Sequence, residues 1–466
     1  MRLSQASLGG LASHVVRPDY DWQAQRSGIV HFGIGAFHRA HQAAYTDAAM
    51  AAGDRDWRIT GVSLRSGDVA AQINPQDGLY TLTERSGETA RTRLIGAVGQ
   101  VIVAPQDPEG VIAALAAPDT RIASFTVTEK GYLRQADGSL DRDNPALAAD
   151  AAGKAAPRTI YGFLAAGLAR RQAAGLPGLT LLSCDNLADN GRQLSRLMTA
   201  YLEAVDPPLA DWFTRECRCP STMVDRIVPA MTDADRAWVA DHIGLADEGA
   251  ILTETFTQWV IEDDFASPRP RWEVAGAQFV SDVGAHEAAK LRMLNGAHSA
   301  LAYCGLERGH DFVHQAVADP AIRPLIEQIM RVEAAATLAP AGGIDGSAYA
   351  DRLLERFANS ALQHRLMQIA MDGSQKIPQR WLEPLAINQN AGRTCPAILE
   401  ALAAWCRHVR GQTRPVDDPQ AEQLAGLWQA QGAAGLAAAL FGPGGQFAAT
   451  WTASPAALAA LTQKLV

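Results

Sequence analysis

An apolar run, two closely spaced glycines and a helical pattern follow one another in GIVHFGIGAFHRAHQAAYTDAAM, residues 28–50. Residues 29–32 read as a buried strand, Gly33 and Gly35 as a tight turn, and 37–50 as a helix. That succession opens a dinucleotide-binding unit, in which the glycines let the backbone approach a pyrophosphate at the helix N-terminus. The third glycine of the usual fingerprint is missing, since His38 stands in its place. A GxG taken alone is equally compatible with a purely structural turn.

A second strand is expected at 57–64, followed by Arg65 and the turn Ser66, Gly67, Asp68. An acid after the second strand holds a ribose 2′-hydroxyl and repels a 2′-phosphate, which favours NAD over NADP. Its distance from the glycines is long, however, and Arg65 leaves room for the phosphorylated cofactor. Further strands are expected at 93–103, 121–127 and 179–183, with helices such as 160–174 between them. This alternation indicates a mostly parallel sheet covered on both faces, with ligands beyond the carboxyl ends of its strands. Two of those ends carry polar clusters: Thr128, Glu129, Lys130, Gly131 and Tyr132 after one, Cys184, Asp185 and Asn186 after the other. Each cluster reads equally as a capped turn. Apolar runs at 223–229 and 258–265 follow, and the first holds Asp225 beside Arg226, a substrate contact or a buried ion pair.

With 466 residues the chain is too long for one ordinary core. Strand-like runs end near residue 282, and alanine, leucine and glutamine then recur at helical spacing, so 1–282 is expected to be the α/β domain and 283–466 a helical one. In the second domain the Pro and Gly cluster at 340–346 reads as a loop. AMDGSQKIPQRW, 370–381, reads as a loop carrying Lys376 and Arg380, which is either a substrate lid or a solvated basic turn.

A net charge of −9 argues against a general nucleic-acid or anionic-membrane surface. The N-terminus lacks a signal-peptide core and no later run approaches a membrane span, so a cytoplasmic protein is expected. Six cysteines in so long a chain read as reduced thiols, mostly in the core, and Cys217 and Cys219 are too close for the usual zinc pair.

Of 41 basic residues only Lys130, Lys154, Lys290, Lys376 and Lys464 are lysines. Arginine keeps its proton in proteins, whereas a buried lysine can lose one, so these positions are candidates for acid–base work. Lys290 lies in HEAAKLRMLNGAHS, 286–299, with Asn295 and His298. On an α-helix Asn295 falls roughly 140° round the axis from Lys290 and His298 roughly 80°, so all three can share a face. A neutral amine takes a hydroxyl proton and an amide N–H steadies the oxygen left behind, which suits alcohol and ketone chemistry. The same three residues also fit the wet face of a surface helix.

Taken in order, HFGIGAFHRAHQA, TVTEKGY, SCDN, MVDRIVPA, QWVIEDDF, KLRMLNGAHS and DGSQKIPQR resemble the polyol-specific long-chain dehydrogenases and reductases, a family that includes mannitol 2-dehydrogenase and fructuronate reductase. The resemblance spans residues 29 to 381 and adds little after 410. It implies a Rossmann-type N-terminal domain, a mainly α-helical C-terminal domain, and metal-independent chemistry with NAD(H) or NADP(H). By the same resemblance Lys290 is the general acid/base, Asn295 and Asn186 hold the reacting oxygen, and His298, Asp225 and Lys376 bind further hydroxyls. Gly33, Gly35 and the Phe37 segment hold the pyrophosphate, and Asp68 the adenosine ribose. Glu287, one turn before Lys290, reads as a proton relay or a plain surface acid.

DGSQKIPQR and HRLMQIAMDG look more like fructuronate reductase than mannitol dehydrogenase. Arg380 or Arg365 is then the fork for a sugar-acid carboxylate, since guanidinium binds carboxylate bidentately. The expectation is therefore D-fructuronate reduction to D-mannonate with NADH by a monomer or small homo-oligomer. Mannitol or another hexitol is the alternative substrate, and a catalytically silent dinucleotide sensor the alternative of another class.

Overall fold

Successive residues of one strand divide between two cores: Val30 and Phe32 join one hydrophobic cluster and Ile29 the other. Ala123 and Phe125 separate from Ile122 in the same way, and Leu181 from Leu182. Side chains of a strand point alternately to opposite faces, so a sheet built from such strands is buried on both.

The computed structural model describes residues 1–135, 137–338 and 345–466, and the chain divides into two units, Met1–Val283 and Gly284–Val466. The strands of the first unit, in chain order, are β1 Ser27–Phe32, β2 Arg58–Ser63, β3 Tyr80–Ser86, β4 Thr89–Ile95, β5 Val98–Val103, β6 Ile122–Phe125, β7 Thr180–Ser183, β8 Thr222–Asp225, β9 Ile251–Glu254, β10 Gln258–Glu262 and β11 Gln278–Val280. Five of them form a parallel sheet in the order β5-β2-β1-β6-β7. Helices Pro108–Ala116, Ile160–Ala173 and Asn190–Val205 supply one of the two cores, and Gln42–Ala51 supplies the other. The strand order reverses beside β1, with β2 on one side and β6 on the other, and this is the switch point where such sheets bind ligands. The fold class is the one the sequence leads us to expect.

Local details differ from the sequence reading. Residues 93–103 are two strands rather than one. The chain turns at Gly96, whose N–H donates to Asp47 Oδ1 at 2.9 Å, and β4 leaves the parallel sheet to pair antiparallel with β3 in the small sheet β4-β3-β9. The helix expected at 37–50 is broken at His41 (φ −113°, ψ −96°) into Ala36–Ala40 and Gln42–Ala51. His41 Nε2 lies 3.0 Å from the Gln258 carbonyl, and its ring sits edge-on to Trp259, so contacts distant in sequence win over helical continuity. Arg226 meets a carboxylate other than its neighbour's: it donates to Glu84 Oε1 and to the Ala40 carbonyl at 2.6 Å, and to the Glu254 carbonyl at 2.9 Å. That one guanidinium joins the strand end after β8 to β3, β9 and the first helix.

In the second unit helix Gly296–Glu307 is the axis of the core. Every residue from 296 to 306 is buried, so no face of it is left to water, and helices Val313–Ala318, Leu366–Ala370 and Pro396–His408 pack around it. The expected loop at 370–381 is helical. Gly373–Ile377 and a π-helical turn Pro378–Leu382 run into helix Glu383–Asn390, and the change of direction takes two residues, extended Met371 and Asp372 at φ +56°. Its cause is again non-local: Ser374 N and Oγ bond the carboxylate of Asp418 at 2.7 and 2.5 Å. Of the 340–346 cluster, 340–344 lie outside the described residues. All six cysteines are free, and five are buried. No helix among the described residues is long and apolar enough to cross a membrane.

Because Arg226 is buried with acceptors on three elements, replacing it by Met should cost about 3 kcal/mol of stability. Urea denaturation would measure this; a loss below about 1 kcal/mol would mean that the guanidinium contributes little.

Candidate active site

The carboxyl end of β1 and the start of the next helix make the candidate dinucleotide site of the first unit. Gly33 has φ +91°, and a Cβ there would also collide with the Thr126 carbonyl, so the position excludes any side chain twice over. Gly35 differs: a Cβ there would find nothing nearer than the Gly33 carbonyl oxygen at 3.9 Å. It fronts an open notch at the helix N-terminus, which is the space a pyrophosphate needs. The residues present therefore fit a dinucleotide. Phe37 stacks on His41 with centroids 5.1 Å apart. Asp68, exposed, begins helix Asp68–Ile73 beyond β2, and Arg65 is exposed nearby.

His38, where the fingerprint has its third glycine, lies flat on His31 with ring centroids 3.4 Å apart and an interplanar angle of 17°. Both rings are buried. Burial pushes His31 down to about 3 and holds His38 well below the ordinary imidazole range.

The loops after β6 and β7 are tied by Asp185. Its carboxylate accepts from Val127 N at 3.1 Å, Thr128 N at 2.9 Å and Tyr132 Oη at 2.9 Å. Burial pushes this carboxyl up while those donors pull it back. Thr128 sits at φ +64°, a strained conformation for a β-branched residue, and Asp185 holds it there. Asn190 locks the β7 loop to β8 by donating to the Asp185 and Thr222 carbonyls and accepting from Thr222 N. Asn186 is exposed immediately after Asp185, and Asp225 is buried at the end of β8. Asp185 belongs to the polar cluster expected after that strand, where a capped turn explained it as well, and Asn190 did not stand out in the sequence.

The second unit holds Lys290, Asn295 and His298 on one uninterrupted helical run. Residues Lys290–Asn295 form a π-helical turn, closed by Gly296 N to the Leu291 carbonyl five residues back. The α-helical angle of roughly 140° between Lys290 and Asn295 therefore does not apply. The wider turn brings residues five apart nearly above one another, so amine and amide come closer to one face. Two further π turns, Ile329–Ala334 and Pro378–Leu382, pack against this one. Lys290 is 8% exposed and His298 7%, so the wet-helix reading fails.

Around His298 the structure gathers cations. Its ring lies 4.6 Å from Phe357 and edge-on to His364 at 5.4 Å. Burial first, then His364, Arg356 and Arg380, keep it well below the ordinary imidazole range. Arg380 donates to Ser299 Oγ at 2.8 Å and to the Asn295 carbonyl at 3.4 Å, against the catalytic-looking turn. Arg365 is exposed, its guanidinium 5.2 Å from the Phe312 ring. Lys376 donates to the Ile369 and Met371 carbonyls, which caps the helix before it. Glu287 is half-buried, one turn before Lys290. Arg356, buried beside Phe357, was missed by sequence reasoning; an arginine inside the apolar stripe of Leu353, Leu354 and Phe357 was the available signal.

Residues 27–274 match the mannitol dehydrogenase Rossmann domain and 282–465 the mannitol dehydrogenase C-terminal domain. The chain belongs to the mannitol dehydrogenase family. Within that family it is 42% identical to D-mannonate oxidoreductase of Escherichia coli (strain K12), over 85% of this chain and 83% of the relative. It is 39% identical to mannitol 2-dehydrogenase of Phaeosphaeria nodorum, over 91% of this chain and 77% of the relative. The structure of Pseudomonas fluorescens mannitol 2-dehydrogenase in a ternary complex with NAD and D-mannitol superposes with a TM-score of 0.87 at 36% identity, covering 100% of this chain and 96% of that one.

The stacked histidines of this mannitol dehydrogenase family member make its stability pH-dependent. In the unfolded chain histidine titrates near about 6.5, whereas folded His31 does so near 3, so stability is lost as pH falls below the unfolded value. Between about pH 6.5 and 5 the loss should reach about 2 kcal/mol for His31 alone. Denaturation series of wild type and His31→Gln would check this, with the variant expected to show the shallower acid slope.

Proposed function

We propose that this protein interconverts D-mannonate and D-fructuronate with NAD(H), by metal-independent hydride transfer at a secondary CH–OH group with Lys290 as general acid/base. The observation that carries the reading is the buried Lys290 at one end of a π turn and Asn295 at the other. Membership of a family whose relatives include a D-mannonate oxidoreductase supports the substrate class. Asp68 beyond β2 favours NAD over NADP.

In the oxidative direction the neutral amine of Lys290 accepts the hydroxyl proton as the C–H bond breaks. Asn295 and Asn186 donate amide N–H groups to the oxygen, so negative charge that develops there is met by fixed dipoles. Bound NAD supplies the hydride acceptor. In reduction the Lys290 ammonium returns the proton to the ketone oxygen. His298, kept neutral by burial and by the cations around it, offers a hydrogen bond without a charge, which suits a hydroxyl. Asp225 and Lys376 are assigned to further hydroxyls, and Glu287 to passing the Lys290 proton to water.

For the carboxylate we assign Arg380 rather than Arg365, because Arg380 stands against Asn295 and Ser299 whereas Arg365 lies exposed over Phe312. Mannitol to fructose is the second reading, favoured by the likeness to mannitol 2-dehydrogenases. A silent dinucleotide sensor would need no buried lysine.

Purified protein assayed with D-mannonate, D-mannitol, D-arabinitol and D-sorbitol, each with NAD and NADP, should turn over mannonate with NAD best. Turnover of mannitol without mannonate would overturn the uronate reading, and tight NADH binding with no turnover at all would favour the sensor. Lys290→Ala should lower kcat by about 10² to 10⁴-fold. Unchanged turnover would remove Lys290 from its assigned role. Arg380→Leu should lower kcat for every substrate, since it also removes the bonds bracing the Lys290–Asn295 turn, but should raise KM for mannonate far more than KM for any hexitol turned over.

A further inference from the structure

On the face of the sheet occupied by Ile29 and Ile122, the residues two further along, His31 and Ser124, are polar although buried. They belong to a line of side chains under the glycine turn. The Gln42 amide oxygen lies 2.8 Å from Ser124 Oγ, Ser124 Oγ lies 2.8 Å from His31 Nδ1, His31 Nε2 lies 2.8 Å from Thr126 Oγ1, and Thr126 Oγ1 lies 2.6 Å from the Gly33 carbonyl oxygen. Counting protons gives the line a single direction.

A carbonyl oxygen only accepts, so the one Thr126 hydroxyl proton goes to Gly33. Thr126 Oγ1 must then accept from His31, which places a proton on Nε2. A neutral imidazole with Nε2–H has a bare Nδ1, and Ser124 must donate to it. Ser124 has no second proton for an amide oxygen, so the proton count requires the Gln42 amide turned end for end, its nitrogen donating to Ser124. With the amide oxygen toward Ser124, Gln42 Nε2 is buried without a partner among the described residues, and exchanging the two ends gives it one. At the far end the Gly33 carbonyl also accepts from Gly35 N at 2.7 Å, and His31 Nε2 lies 3.3 Å from it as a longer, weaker contact. The Thr126 and Gly35 bonds fix the turn at its φ of +91°.

We infer that Gln42, Ser124, His31 and Thr126 form a one-way hydrogen-bonded chain that positions Gly33 for dinucleotide binding, with His31 its tautomer-selecting link. None of the four touches the reacting atoms, and all are positioning residues. The inference rests on the reading that this turn holds NAD(H).

The experiment is an NADH titration by protein fluorescence, with steady-state kinetics alongside. Thr126→Val keeps the shape and removes the last donor; it should weaken NADH binding about tenfold and raise KM for NAD, with kcat at saturating cofactor within about threefold of wild type. Thr126→Ser keeps the hydroxyl and should bind within about twofold of wild type. Ser124→Ala should weaken binding about threefold, and adding it to Thr126→Val should cost clearly less than the sum of the two, because most of what the earlier links transmit passes through Thr126. Additive losses in the double variant, or a Thr126→Val protein that binds NADH like wild type, would overturn the chain alone. A wild-type protein that binds no NADH would take the dinucleotide reading and the chain down together.

Discussion

A helix that is buried on every side can neither rotate nor slide without opening the core around it. Residues 296–306 are in that condition, and the π turn Lys290–Asn295 is continuous with them. The geometry of the amine and the amide is thus fixed by packing further along the helix, where apolar burial contributes roughly 25 cal/mol per Å². A π turn strands a helical residue out of the regular ladder and survives only where its surroundings over-determine it. Here two other π turns and the Arg380 bonds to Asn295 and Ser299 supply those surroundings.

The first unit solves a similar problem differently. Two of its positive-φ points, Gly33 and the strained Thr128, lie just past the ends of adjacent strands β1 and β6. Each is held by a buried polar group reaching from a neighbour: the Thr126 hydroxyl for Gly33, the Asp185 carboxylate for Thr128. Polar groups inside a core are costly unless satisfied. Their presence at these two places and their satisfaction by loop backbone go together.

How much of this was legible beforehand depended on range. The parallel sheet could be read because its strands are short apolar runs separated by helical periods, and that information is local. The split of 93–103 into β4 and β5 could not be read, since Gly96 turns the chain by bonding Asp47, roughly half a hundred residues away. The same holds for the break at His41, set by Gln258 and Trp259, and for 370–381, where DG and IP look like loop punctuation yet Asp418 secures a helix. At the candidate site Lys290, Asn295 and His298 were visible as residue types at a suggestive spacing. Their burial and the π turn were not, because an α-helical wheel assumes the very angle that the π turn changes. Arg356 and Asn190 escaped, and Asp185 was visible only as one of a polar cluster, because a buried arginine and a capping side chain look ordinary until their neighbours are known.

The break at His41 leaves the helix after the glycine turn with only five residues, Ala36–Ala40. So short a helix sums few peptide dipoles and presents a weak positive end to an anion. The chain from Gln42 to Thr126 runs toward the same turn, and with the Gln42 amide turned as the proton count requires each of its donors points its proton toward Gly33. Its aligned O–H and N–H dipoles add their positive ends where the helix falls short. Buried where water does not screen them, they give the turn an electrostatic polarity drawn from side chains in place of backbone.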